Sequence, residues 1–368
     1  MKPQVALDSL RAQAFRIPTD KPEADGTISW NATTLVLVEV FAGNQTGVGY
    51  TYSSASIAKL INGTLAAVIK GCDAMAPQAA WLRMQRAVRN LGRQGLAATA
   101  ISAVETALHD LKARLLALPL FRMLGSYRDT VPIYGSGGFT TYSDQELERQ
   151  LGSWVAEQGC AFVKMKVGSD PELDPHRVEV AKRAIGHATL FVDANGAYGV
   201  KQALSLAESF AAQGVGWFEE PVSSDDLRGL RAIRSRAPVG MDIAAGEYSY
   251  TVDDVRTMLQ ADAVDVQQAD VTRCGGISAF LQIAALCEAF HIDLSGHCAP
   301  ALHLHAACAA PRLRHLEWFH DHVRIESMLF DGAPVPHNGT ISPDPSRPGN
   351  GLCFKHADAE RYALEADV

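Results

Sequence analysis

The sequence predicts an α/β fold: a closed β/α barrel preceded by a smaller α+β capping domain. Three observations carry that expectation. The chain has 368 residues, more than one hydrophobic core usually serves, so a large domain with a smaller one is the natural division. From about Thr130, short apolar runs alternate with amphipathic stretches. Polar, mostly charged side chains recur where those runs end, at near-regular spacing.

The first part opens with β-like runs. RAQAFRI (11–17) is followed by a polar loop, TDKPEADGTISWN (19–31), and then by TTLVLVEVFA (33–42). The last run alternates and is rich in Val and Leu, which suits a strand. GVGYTY (47–52) continues a meander. From Ser56 the texture turns helical: residues 56–71 and 100–125 place apolar side chains three and four apart. Pro119 falls late in the second stretch and should break it. These elements define a cap over residues 1–128.

The barrel is expected over residues 129–332. Its strand candidates are VPIYGSG, AFVKMKVG, TLFVDAN, GWFEEP, VGMDIAAGE, AVDVQQAD, IDLSGHC and HLEWF. Helical stretches such as DQELERQLGSWVAEQG and VKQALSLAESFAAQG separate them. Such alternation predicts a parallel sheet with helical crossovers, and eight strands suit a closed barrel. No GxGxxG follows the first strand, which weighs against dinucleotide binding. The Pro-, Gly- and Asp-rich tail, about 333–368, is expected to return to the cap.

Composition narrows the partners. Apolar residues make up 47% and charged residues 20%, a globular balance. A net charge of −8 argues against nucleic acid or an anionic membrane surface, which call for basic patches. It leaves room for a small anionic substrate beside local cations or a metal. The seven cysteines are scattered without a CxxC, so buried, reduced thiols in a cytoplasmic protein are the plain expectation. No signal-like or membrane-spanning apolar run stands out.

Lys166, Asp193, Glu219, Glu247, Asp270, His297 and Glu317 stand 27, 26, 28, 23, 27 and 20 residues apart, about one β/α unit per step. In a β/α barrel the C-terminal strand ends converge on one mouth, where active sites lie. Alternation along a strand sends Lys164 and Lys166 the same way, and likewise Asp193 and Asn195. Glu219 and Glu220 must point oppositely, which leaves Glu220 for a structural pairing behind the barrel. Repulsion between the two lysines should lower at least one pKa and ready a neutral amine base. Asp193, Glu219 and Glu247 form an oxygen-only triad suited to Mg²⁺ rather than zinc. Asp242 competes with Glu247 but sits earlier in its strand. Asp270 can orient His297 as a second base. Glu317, if protonated, could donate to a substrate oxygen. Ser136 and Tyr134, at the first barrel strand, are candidate substrate contacts. The histidines at 303, 305, 315, 320 and 322 lack zinc-type spacing, and helix-facing or surface positions are their default.

KMK, VDAN, FEEP, GE, and then Asp270 and His297 on successive strands resemble the enolase superfamily in its mandelate racemase branch. The resemblance implies a (β/α)7β barrel and one Mg²⁺ held by Asp193, Glu219 and Glu247. It implies Lys166 and the His297–Asp270 dyad as bases on opposite substrate faces. Lys164 would contact the substrate carboxylate, Glu317 would act as an electrophilic acid and Asn195 would line the site. Enediolate chemistry with Lys or His bases is the known pattern of this superfamily. The implied activity is removal of the proton α to a carboxylate. Dehydration of an acid sugar or sugar diacid to a 2-keto-3-deoxy acid is favoured by the polar cap loop, and racemisation of a 2-hydroxy acid is the alternative. A non-catalytic barrel binding metal and carboxylate is the rival from another class. A symmetric homo-oligomer is also implied.

Overall fold

A computed structural model describes residues 4–364. Three antiparallel strands, β1 (Ser9–Ala24), β2 (Ser29–Ala42) and β3 (Gln45–Tyr52), form a meander. Most of the loop expected at 19–31 is strand: β1 runs on to Ala24 through a register shift between Pro18 and Glu23. The turn that remains is closed by Asp25, whose Oδ1 accepts the N–H groups of Thr27 (2.6 Å) and Ile28 (2.8 Å). The bulge accommodates Pro18 and Pro22, which lack the N–H a regular ladder needs.

A buried 20-residue helix, Leu96–Leu115, covers one face of this sheet. Gly47 and Gly49 permit the approach, since a Cβ at either would lie 2.2–2.3 Å from the carbonyl oxygens of Ala107 and Ala103. The helix ends at Leu115, four residues before Pro119, and Pro119 precedes a new turn at Leu120–Leu124. Residues 57–69 are helical with a π turn at Ile61–Leu65. Within that turn, Asn62 brackets the backbone of Ala12 on the β1 edge, at 2.8 and 2.9 Å.

All eight expected barrel strands form. They are β4 (Val131–Gly137), β5 (Phe162–Lys166), β6 (Thr189–Asp193), β7 (Val215–Glu219), β8 (Asp242–Ala245), β9 (Val266–Ala269), β10 (Asp293–Gly296) and β11 (Leu313–Phe319). Neighbours pair in parallel, and β11 closes on β4 with Leu316 opposite Ile133 and Phe319 opposite Ser136. Seven helices make the crossovers. The helix after β11, His320–Leu329, meets the cap instead: Glu326 accepts from the Tyr50 hydroxyl at 2.6 Å and His322 stacks on Tyr52 at 3.5 Å. Inside the barrel, Tyr134, Phe191, Trp217, Ala244 and Val266 form a packed floor beneath the mouth, with Phe191 stacked on Trp217 at 4.9 Å.

Histidines 303, 305, 315 and 322 are buried rather than on the surface. His303 accepts the Val271 N–H at 2.8 Å, and His305 ties Phe121 to Asn350. Six of the seven cysteines are buried and all are free. Among the described residues no helix is long and apolar enough to cross a membrane.

The C-terminal segment pairs with the start of β4, Thr340–Ile341 lying against Pro132 and Val131, and returns to the cap, where Phe354 packs on Phe15 at 5.2 Å. Its anchor is Asp110 on the long helix. That carboxylate accepts from Arg114 (2.7 Å), the Val48 N–H (2.7 Å) and the Asn350 N–H (2.6 Å). Asp110→Ala strands the Arg114 cation and two buried donors, so a loss of about 3–5 kcal/mol is expected in chemical denaturation. A loss under about 1 kcal/mol would show that this junction does not depend on the carboxylate.

Candidate active site

The strand ends deliver one ring of buried polar side chains. Lys166, Asp193 and Glu219 are the last residues of β5, β6 and β7, in direct register with one another. Asp270 and His297 follow β9 and β10 by one residue, and Glu247 follows β8 by two. Glu317 lies inside β11 opposite Tyr134. Residues spread over about 150 positions of sequence thus share one mouth, as a closed barrel requires.

One carboxylate oxygen each from Asp193, Glu219 and Glu247 falls within 4.8 Å of the others. Three buried, oxygen-only donors at that separation fit a hard divalent cation. Their electrostatics agree: burial, and then the charge of Asp193, push Glu219 up to about 8. A dication would relieve that repulsion. The competitor Asp242 is excluded by position, since it begins β8 at the opposite end of the barrel and pairs with Arg314 at 2.5 Å.

The lysines depart from expectation. Lys164 Nζ lies 2.6 Å from Glu219, 2.8 Å from Glu317 and 3.3 Å from Asp193, while Lys166 Nζ lies 2.5 Å from Asp193. Burial alone would lower both amines. The surrounding carboxylates outweigh burial and mutual repulsion, so both pKa values rise above the usual lysine range. Glu317 departs too. Burial favours its neutral form, but Lys164 and His297 hold it below the usual carboxylate range. It is an ionised acceptor of the Ser136 hydroxyl (2.6 Å) and the Cys298 N–H (3.0 Å), rather than a protonated donor.

On the other side of the ring, His297 Nδ1 stands 2.8 Å from Asp270 and Nε2 stands 3.0 Å from Glu247. Burial opposes the imidazolium, but Cys298, Glu247 and Glu317 together raise the His297 pKa well above its ordinary value. Three further residues belong to this wall. Arg273 lies 3.6 Å from Asp270 and 4.0 Å from Glu247, bridging the dyad to the triad. Cys298 Sγ lies 3.3 Å from His297 Nε2. His322 accepts the Ala299 N–H at 3.2 Å, holding a turn in which Cys298 and Ala299 both take left-handed backbone, with φ of 51° and 39°. Arg273, a cation three residues after Asp270, was the one with a readable signal.

Other expected contacts fall at different depths. Asn195 reaches the mouth, half-buried, its Oδ1 free of protein partners and its N–H on Asp193. Ser136 is buried on Glu317, and Tyr134 lies in the floor with its ring 5.6 Å below Lys164. Glu220 is not paired behind the barrel. Its Oε1 has no partner, and burial, followed by Glu247 and Asp193, raises its pKa well above normal. The cap hairpin docks on this mouth, where Gly26 sits against the carbonyls of Val167 and Ala194 and Ser169 donates to Asp25 at 2.7 Å. Asp20, Lys21, Ser29 and Asn31 of the hairpin are exposed, whereas Glu23 is buried and Trp30 packs edge-on against Phe139 at 5.6 Å. The polar character of this segment therefore faces mainly outward.

Residues 14–125 match the mandelate racemase/muconate lactonizing enzyme N-terminal domain, and residues 146–359 match the enolase C-terminal domain-like family. The chain belongs to the enolase superfamily, in its mandelate racemase/muconate lactonizing branch. A mandelate racemase/muconate lactonizing enzyme-like protein from Rubrobacter xylanophilus superposes with a TM-score of 0.96 at 50% identity, over 98% of this chain and all of that one. The 3,6-anhydro-alpha-L-galactonate cycloisomerase of Streptomyces coelicolor is 30% identical over 97% of this chain and 99% of its own. The L-talarate dehydratase from Polaromonas sp. JS666, solved with Mg and L-glucarate, has a TM-score of 0.88 at 28% identity, covering 98% of each chain. Relatives similar to this chain are thus enzymes, among them dehydratases and cycloisomerases named for sugar-derived acids and a muconate cycloisomerase.

The ring geometry predicts that Asp193→Asn and Glu219→Gln each weaken divalent-ion binding by roughly a hundredfold in calorimetry. Asp242→Asn, at the far end of the barrel, should leave it unchanged. Equal losses in all three would undo the assignment of the triad.

Proposed function

We propose that this enzyme removes the proton α to the carboxylate of a sugar-derived acid and expels the oxygen on the β carbon, yielding a 2-keto-3-deoxy acid. The observation that carries the reading is the placement of two proton-transfer groups, Lys166 and His297, on well-separated strands flanking one carboxylate triad. Between β5 and β10 lie three strand steps one way round the eight-strand ring and five the other. A substrate carboxylate held at the triad would present its α carbon between them.

Asp193, Glu219 and Glu247 would hold the magnesium ion, as the magnesium-bound dehydratase relative supports. When bound, that ion supplies Lewis-acid stabilisation of the carboxylate as its α carbon loses a proton. Lys164 adds a positive charge beside the same carboxylate, where negative charge develops. Asp270 fixes the His297 tautomer through Nδ1 and leaves Nε2 to move the proton. In the ring as it stands, Asp193 and Glu247 keep Lys166 and His297 protonated. Once those carboxylates are neutralised, the amine and the imidazole lose the anions that hold their protons. Lys166 then accepts the α proton as general base. His297 donates a proton to the departing β oxygen, and the enol left behind takes up a proton to become the 2-keto acid. Glu317 anchors Lys164 and, through the Cys298 N–H, the turn that carries His297.

When the leaving oxygen is a hydroxyl, the reaction is dehydration, which the similarity to sugar-acid dehydratases supports. When it is a ring ether on the β carbon, the same elimination opens an anhydro sugar acid. The full-length similarity to an anhydrogalactonate cycloisomerase favours that second form. The outward-facing polar hairpin no longer selects between them. Racemisation needs only that the second base return the proton.

Incubating the magnesium-loaded enzyme with hydroxylated and 3,6-anhydro sugar acids in D₂O separates the outcomes. We expect a 2-keto acid, detected with semicarbazide, from at least one class. Lys166→Ala should abolish it, and Asp270→Asn should slow it by about 10²–10⁴-fold. Deuterium at the α carbon of recovered, epimerised substrate without keto acid would replace elimination with racemisation.

A further inference from the structure

A second cluster of metal-type donors lies outside the ring. Ligand atoms of Asp20, Glu23 and His320 fall within 4.8 Å of one another. His320 Nε2 stands 3.0 Å from Asp20 Oδ2. Glu23 is fully buried: its Oε2 accepts from the Trp30 indole at 2.7 Å, and its Oε1 has no hydrogen-bond partner. A buried carboxylate with one oxygen unpartnered, set beside an imidazole and a second carboxylate, offers an unmet ligand position.

Nearby cations do not fill it. Lys21 is engaged by Glu146, and Arg324 binds Asp321 at 2.6 Å and the Pro18 carbonyl at 2.7 Å. Asp321 is the direct partner of Arg324, so among the described residues no lysine or arginine pairs directly with Asp20 or Glu23. Burial, and then the charge of Asp321, push Glu23 up to about 8. The fold explains the convergence. Asp20 lies within the irregular stretch of β1 and Glu23 ends it, while His320 opens the helix after β11. The three residues therefore join the cap hairpin to the end of the last barrel strand. Asp20 is 44% exposed, which gives an ion a route from solvent.

We propose that Asp20, Glu23 and His320 bind a divalent transition-metal ion that clamps the β1–β2 hairpin to the barrel. One imidazole with two carboxylates suits zinc or manganese, in contrast to the oxygen-only triad in the mouth. The clamp would restrain the hairpin tip, whose backbone already touches the β5 and β6 loops over the active site.

Zinc titration of the full chain tests this in an Asp193→Asn/Glu219→Gln background, which disables the mouth triad. One zinc ion per chain is expected in calorimetry, together with a rise in melting temperature. Adding His320→Ala should weaken that binding at least tenfold and remove the thermal shift. Adding Asp20→Asn, at an exposed position where circular dichroism is expected to show intact folding, should do the same. No zinc bound in the triad-disabled chain would overturn the clamp, as would binding unchanged by both added substitutions. Neither result depends on the reaction catalysed at the mouth.

Discussion

Charge balance in a water-poor barrel mouth governs everything else in this molecule. Six buried carboxyl groups, those of Asp193, Glu219, Glu220, Glu247, Asp270 and Glu317, face Lys164, Lys166, Arg273 and one imidazole. Uncompensated charge is costly at low dielectric, so such a set must take up protons or a cation. The protein shows the first response in the raised pKa values of Glu219 and Glu220. The second response, a divalent ion, is what the triad is shaped to accept. The two are alternatives, and this links ion binding to the protonation of the residues that would do the chemistry.

The scaffold keeps this tension from collapsing the site. The aromatic floor beneath Lys164 excludes water from one side, and the cap hairpin covers the other. Neither lysine can retreat, because each is the side chain of a short central strand hydrogen-bonded on both edges. The turn after β10 is similarly fixed: its two left-handed residues persist only because Glu317 and His322 accept their N–H groups.

Much of this was legible in the sequence. The eight strands announced themselves because each is a short apolar run between helices. The ring announced itself because strand ends in a parallel barrel recur once per unit. What the sequence hid were quantities set by three-dimensional neighbours. The lysine pair reads as mutual repulsion until Glu219, Glu317 and Asp193 are seen around it. Glu317 reads as a potential acid until Lys164 is seen at 2.8 Å. The 19–31 segment reads as a loop because Pro22 and the charges around it mask a bulged strand. His322 gave no signal, since its role rests on stacking against Tyr52 from another domain.

The seam between β4 and β11 carries a consequence for how the enzyme comes into being. Ser136 and Glu317 meet across it, 181 residues apart in the chain, and Glu317 in turn holds Lys164 and the turn beside His297. Contacts of such sequence separation are slow to form, because a long loop must close before they give any return. A chain still emerging from the ribosome can display the triad strands β6, β7 and β8 well before the barrel is shut. Its acidic mouth would then lack the partner that anchors both Lys164 and the turn carrying His297. The anchoring of Lys164 and of the turn carrying His297 is therefore tied to completion of the ring.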